Sequence, residues 1–248
     1  MATQPPAVLL AYGNFVFRYR DYLAPLMVVL IVAFTRPHGW SDRRLNTVVD
    51  VVGVFVALCG QALRALVIGL AYIQRGGKNK RIAGDRLVIS GMFAHCRHPL
   101  YVGNFLLFTG LMLIWSSPWA LVIGVGLVGL TLFAMASAEE AFLARKFGAD
   151  YVAYCGRVNR FVPDLRGLSQ TIRGFEFDWK RVVRKDYGTT FTWMSTALVL
   201  IALKHAIVDT PSQALATATA VAFAWVCVAA LWGTARWMKK SRRLVSPD

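Results

Sequence analysis

Residues 100–115 read LYVGNFLLFTGLMLIW, residues 116–118 read SSP, and residues 119–138 read WALVIGVGLVGLTLFAMASA. Neither apolar run contains a charged residue, and Pro118 closes the short polar link between them. A bilayer core about 30 Å thick takes roughly 20 apolar residues per helix. The two runs therefore predict a transmembrane hairpin, with Leu100 and Ala138 at the same end. Working outward, further apolar segments are expected at Tyr22–Phe34 (short, with Pro25 near its start), Leu45–Ile73, Thr190–Leu203 and Ala214–Trp237. The expected fold class is all-α, a polytopic transmembrane helix bundle of about six membrane segments with a cytoplasmic cofactor pocket. Three regions follow: 1–82 with the first two helices, 83–166 with the hairpin and its flanking motifs, and 167–248 with a basic connector and a last helix pair.

Composition agrees. The chain is 56% hydrophobic and 17% charged, with a mean hydropathy of +0.49 and a formal net charge of +15. Soluble domains carry about a quarter charged residues. A basic excess together with high hydropathy fits apolar spans joined by basic loops facing anionic lipid. Nucleic-acid binding is not expected, because the charges punctuate apolar runs instead of lining one face. With the N-terminus inside, 23 Lys and Arg fall on the inner side and 4 on the outer, and Arg64 lies within the second segment. The positive-inside rule then places both termini and any active site in the cytoplasm. A bacterial inner membrane is the expected location. The first fifteen residues carry no basic region followed by a cleavage site, so no signal peptide is expected.

Trp40, Trp115, Trp119, Trp193 and Trp237 fall near expected helix ends, as an interfacial belt would. Small residues at four-residue spacing, Ala120/Gly124 and Ala214/Ala218/Ala222 with Ala216/Ala220/Ala224, suit close helix packing, within the chain or in an oligomer. The cysteines, Cys59, Cys96, Cys155 and Cys227, form no CxxC pair, so neither a zinc site nor a disulfide framework is expected. Gln61 and Arg64 are an intramembrane polar pair, which is a functional suspect by default, though Arg64 has the option of snorkelling. Pro163 to Arg184 reads as a polar connector, and Phe175, Phe177 and Trp179 with Lys180, Arg181 and Arg184 suit a stretch lying on the membrane surface.

Two stretches carry candidate chemistry. In the first, from Gly84 and Asp85 to Gly103, Pro99 suits the first turn of a helix. Arg97 and His98 beside that helix start make an anion site, or else a headgroup anchor. In the second, Glu139 and Glu140 close the apolar run ahead of Phe147, Gly148, Tyr151, Tyr154 and Arg157. Acidic residues are poorly placed at a helix C-terminus, so a role beyond solvation or pairing with Arg145 and Lys146 is open. The hairpin brings both stretches together, and an anion site beside paired carboxylates suits a cationic, amphoteric cofactor.

Leu87-Val88-Ile89-Ser90-Gly91-Met92-Phe93, Arg97-His98-Pro99-Leu100-Tyr101-Val102-Gly103, Glu139-Glu140, Phe147-Gly148, Tyr151-x-x-Tyr154 and Pro163 together resemble the isoprenylcysteine carboxyl methyltransferase family and its phospholipid methyltransferase relatives. The resemblance implies a membrane methyltransferase using S-adenosylmethionine on a lipophilic or membrane-partitioning acceptor (carboxylate, amine or thiol). Carried over, Leu87, Val88, Ser90, Gly91, Arg97, His98, Pro99 and Tyr101 would hold the cofactor, and Glu139, Glu140 and Arg157 are the catalytic candidates. The isoprenylcysteine enzymes resemble one another in carrying an Arg about one turn before the Glu pair. Here that turn reads Phe133-Ala134-Met135-Ala136-Ser137, without a cation, which puts a carboxylate acceptor in doubt. Membrane lipids and the acceptor are the expected partners. Two other readings stand beside this one: an NADPH-dependent enzyme resembling sterol reductases, and a non-enzymatic membrane scaffold or transporter.

Overall fold

The structure is a computed structural model and describes residues 5–39, 43–70, 82, 86–174, 176–241 and 243–244. Every regular element among them is helical. In chain order these are α1 (Ala7–Phe34), α2 (Arg43–Leu70), a 3-10 turn (Gly91–Ala94), α3 (Pro99–Trp115), α4 (a π-helical turn, Ala120–Gly124, running into Val125–Cys155), α5 (Leu168–Gly174), α6 (Trp179–Val208) and α7 (Pro211–Lys240). Trp40, Gly84, Asp85, Phe175, the end of the second expected segment and its basic residues before Ile82 lie outside the described residues.

Local chemistry explains the boundaries. Pro99 and Pro211 occupy first-turn positions, where a missing N–H costs nothing. Thr210 and Gln213 form a capping box on α7, and the Asp178 carboxylate accepts from Arg181 N–H (2.8 Å) to cap α6. Ser116 ends α3 in the left-handed conformation at φ 58°.

The helices differ from the expected segments in instructive ways. α1 begins at Ala7 rather than Tyr22, and so takes Arg18, Arg20 and Asp21 into its length. α4 does not end at Ala138 but runs to Cys155, leaving Glu139 and Glu140 in mid-helix and removing any conflict with the helix dipole. The expected connector shrinks, because Trp179, Lys180, Arg181 and Arg184 already belong to α6. Among the described residues four helices are long and apolar enough to cross a membrane, namely α2, α4, α6 and α7, against six expected segments. The shortfall has two causes: α3 has 17 residues, and the charges of α1 interrupt its apolar stretch. The chain is an integral membrane protein.

α2 and α3 pack antiparallel at very short range. A β-carbon on Gly60 would come within 2.6 Å of the Gly103 carbonyl, and one on Gly110 within 2.5 Å of the Gly53 carbonyl. This small-residue seam, with Ala57 at its centre, is the close contact that lipid-embedded helices favour. Ala120 and Gly124 also pack inside the chain, against Ile31, Phe108 and Met112. On α7, Ala216, Ala218, Ala220 and Ala222 stay exposed on the single chain. Trp115 and Trp193 are buried, their indole N–H groups bonded to Thr35 and Gln61, so they serve the core and not an interfacial belt. Trp119 and Trp237 are exposed near helix ends.

His38 N–H bonds the Ser116 carbonyl (2.9 Å) and Gly39 meets Val208, so the α1–α2 link, the α3–α4 turn and the end of α6 share one end of the bundle. The other end gathers the loop before α3 and the segment after α4. Two buried polar clusters join α2 to α6 between these ends. Arg64 pairs with Asp186 (2.5 Å) and bonds Asn104 of α3, while Gln61 donates to Asp186 (2.8 Å). Four turns away along α2, Asp50 binds Lys204 and the Nε2–H of His205 (2.8 Å), whose Nδ1 faces Asp209 (2.7 Å). Arg64 is thus a structural partner and does not snorkel.

Removing one member of a buried pair leaves the other charge uncompensated, at about 3–5 kcal/mol. Asp186→Leu is expected to lower the unfolding midpoint of the detergent-purified protein strongly, and the double change Arg64→Met/Asp186→Leu to recover most of the loss in the same thermal assay.

Candidate active site

The site lies where α3 begins, because the chain on both sides of it is pinned there. Arg97 N–H donates to the Asn159 carbonyl (2.9 Å), His98 N–H to the Arg160 carbonyl (3.1 Å) and Asp164 N–H to the His95 carbonyl (2.9 Å). The buried His95 ring adds two more ties, with Nδ1–H donating to the Asp164 carbonyl (2.6 Å) and Nε2 against the Thr171 hydroxyl (2.8 Å). The loop 95–98 and the segment 159–171 are therefore one unit.

α4 closes over this unit by a kink. Gly148 holds φ 53° and ψ −124°, a conformation that a side chain strongly disfavours, with no atom near its missing β-carbon. The kink turns the last helical stretch back, burying Tyr151 and Tyr154. The Tyr154 hydroxyl donates to the Phe93 carbonyl (2.7 Å), and Arg97 reaches the Cys155 sulfur at 3.0 Å.

At the centre is the Glu140 carboxylate. One of its oxygens lies 3.1 Å from Arg97 Nη1, 3.0 Å from His98 Nε2 and 3.2 Å from Arg160 Nε. Glu139 accepts from the Tyr101 hydroxyl (2.9 Å), and the His98 ring stacks on Tyr101 with centroids 5.4 Å apart. Although adjacent on the helix, both carboxylates thus meet the start of α3. Two guanidinium groups share Glu140, so the immediate surroundings of that carboxylate are cationic. Burial works to lower the Arg97 pKa, but Glu140 and Cys155 beside it hold it above its ordinary value. Burial raises the Cys96 thiol, against the opposing pull of the His98 N–H and the Arg97 charge.

Of the residues singled out in the sequence, Arg97, His98, Tyr101, Glu139 and Glu140 form one hydrogen-bonded cluster, with Pro99 opening the helix beneath them. Ser90 and Gly91 begin the preceding 3-10 turn, Gly91 at φ 60°, and Leu87 and Val88 are half-buried ahead of it; all four lie outside that cluster. Arg157 is exposed and bonds only the Ala153 carbonyl of its own helix (3.4 Å). Sequence reasoning missed Arg160. Its guanidinium donates to Ser137 (2.7 Å) and lies 4.3 Å from the Phe133 ring centroid, so a cation does sit one turn before Glu140, delivered from a distant segment. Only the short separation of Arg157 and Arg160 hinted at the choice between them.

Arg160→Ala removes charged hydrogen bonds worth about 1.5–3 kcal/mol, and Gly148→Ala imposes backbone strain of about 1–3 kcal/mol. Both are expected to lower the unfolding midpoint, while Arg157→Ala leaves it unchanged; differential scanning fluorimetry reads all three.

The phospholipid methyltransferase family model matches residues 51–150, from within α2 through α3 to the kink of α4. Protein-S-isoprenylcysteine O-methyltransferase of Xenopus laevis is 30% identical over 132 residues, covering 52% of this chain and 46% of the relative. The Homo sapiens protein of the same name is 28% identical over 135 residues, with the same coverage. A cobalt-zinc-cadmium resistance protein of Cupriavidus metallidurans is 29% identical over 168 residues, 66% of this chain and 72% of its own length. The chain spans about half the length of the isoprenylcysteine relatives it matches, and no solved structure matches it. The matched core carries residues 95–98, the α3 start and the Glu pair, and is similar to the phospholipid methyltransferase family model and to the isoprenylcysteine relatives.

Proposed function

We propose that this protein is a membrane methyltransferase that takes its methyl group from S-adenosylmethionine and passes it to a lipophilic acid. The observation that carries the reading is Glu140 held by Arg97, His98 and Arg160 at the first turn of α3. These residues fit the donor. Nε of Arg97 and Nε of Arg160 are both buried and make no well-aligned hydrogen bond among the described residues. Together with the α3 start they suit a carboxylate. Glu139, a third exposed, suits a positive centre. When bound, S-adenosylmethionine supplies a methyl group already activated by its sulfonium charge.

The protein's share of the work is then positioning and exclusion of water. His98, fixed between Glu140 and the Tyr101 ring, sets the floor of the site. Tyr101 holds Glu139 in place. The kinked end of α4, with Tyr151 and Tyr154 buried, covers it. Arg160 on the α4 face at Ser137 favours an acceptor carboxylate over an amine, because a cation there orients the carboxylate and repels a protonated amine. The isoprenylcysteine relatives are named as O-methyltransferases, which is consistent with an oxygen acceptor. We further propose six membrane crossings with α1 and α3 among them, the motif end in the cytoplasm and a bacterial inner membrane as the location. The basic excess at that end supports this orientation.

Thermal shift in detergent separates the alternatives. S-adenosylhomocysteine is expected to stabilise the protein and NADPH is not; stabilisation by NADPH alone would indicate the reductase-like reading. Arg97→Ala is expected to weaken S-adenosylhomocysteine binding by about 1.5–3 kcal/mol. Radiolabel transferred into a lipid extract is expected to be released as volatile methanol by mild base, as a methyl ester requires; base-stable label would mean an amine or thiol acceptor.

A further inference from the structure

A cavity of about 490 Å³ opens between the first half of α1 and the last part of α4. This is the size of a ligand site. Its walls are aromatic, from Phe15, Phe17, Tyr19 and Phe142, and it carries two guanidinium groups, Arg18 from α1 and Arg145 from α4. None of its lining residues is acidic, and neither Arg makes an ion pair among the described residues. None of its lining residues is a member of the Glu140 cluster, and Phe17 packs with Met135, with Ile82 and Tyr101 against that pair, so apolar side chains stand between the groove and the Glu pair. From its mouth an exposed apolar stripe continues along α1 through Phe15, Tyr19, Tyr22, Leu26 and Val29, at three- and four-residue spacing.

We propose that this groove is a binding site for an anionic phospholipid, with its phosphate between Arg18 and Arg145 and an acyl chain along the stripe. The two cations, in a groove lined by no acidic residue, select a negative head. The aromatic walls suit the amphipathic level where headgroup meets chain. The continuous stripe leads into the bilayer, which a soluble anion would not require. Because the side chains of Phe17, Ile82, Met135 and Tyr101 stand between the groove and the Glu pair, the lipid is a resident and not the methyl acceptor.

Native mass spectrometry of the full-length protein in neutral detergent, titrated with phosphatidylglycerol or phosphatidylcholine, tests this. Phosphatidylglycerol is expected to bind the tighter. R18Q/R145Q is expected to weaken it roughly tenfold or more, and R18K/R145K to keep most of the affinity. Both side chains are exposed, so both variants are expected to keep the parent unfolding midpoint. Equal binding of the two lipids, or undiminished phosphatidylglycerol binding by R18Q/R145Q, would overturn the proposal. So would transfer of radiolabelled methyl into the bound phosphatidylglycerol, which would make the groove an acceptor site. Failure of S-adenosylhomocysteine binding would count against the methyltransferase reading alone and leave the lipid site standing.

Discussion

A carboxylate placed in mid-helix and two-thirds or more withdrawn from water needs partners, and Glu140 finds three of them on two separate stretches of chain. That requirement organises the rest of the site. Arg97 and His98 come from the loop before α3, and Arg160 from the segment after α4. For all three to converge, loop and segment must be held together, which the backbone bonds of residues 95–98 to 159–164 accomplish. For the cover to close, α4 must bend, which Gly148 permits. An uncompensated buried charge is costly enough to enforce such an arrangement. The same geometry that stabilises the fold therefore gathers two guanidinium groups at a helix start, which is what an anionic ligand group recognises.

Much of the fold was readable because bilayer physics leaves strong marks in sequence. The α3–α4 hairpin, the helical character of the chain and the junction of the Arg97–Tyr101 stretch with the Glu pair all follow from apolar run length and one proline-bearing turn. Less legible was anything that depends on partners far apart in the chain. α1 was expected to begin at Tyr22, because the charges of Arg18, Arg20 and Asp21 mask a helix that packing onto α4 sustains. Glu139 and Glu140 read as a helix end for the same reason, since hydropathy falls there while the helix continues. Arg157 and Arg160 are chemically alike, and only the path of the chain after Gly156 decides that one reaches Ser137 and the other faces outward. Trp115 and Trp193 were misjudged as interfacial because position along a helix does not reveal which side faces lipid.

The contact between α2 and α3 shows the same limit. Gly53, Gly60, Gly103 and Gly110 lack the four-residue spacing that marks familiar membrane seams, yet they interlock once α2 and α3 run antiparallel. Spacing within one helix is informative about a parallel pair of equals. An antiparallel seam is written on two helices at once and appears only when both are aligned. Gly103 has a second task, since a side chain there would strike the stem of Arg64 on its way to Asn104 and Asp186.

The two polar clusters along α2 bear on how the chain is made. α2 carries Asp50 and Arg64, and among the described residues both find their charged partners on α6, more than a hundred residues later. A charge at the centre of an isolated membrane helix costs about 2.5–3.5 kcal/mol on insertion scales. Pairing with α6 offsets that cost for both residues at once. The stretch that matches the phospholipid methyltransferase family model, residues 51–150, ends before α6. A fragment cut after the kinked end of α4 would lack Lys204, His205 and Asp186, and so would leave Asp50 and Arg64 of α2 without their ion-pair partners.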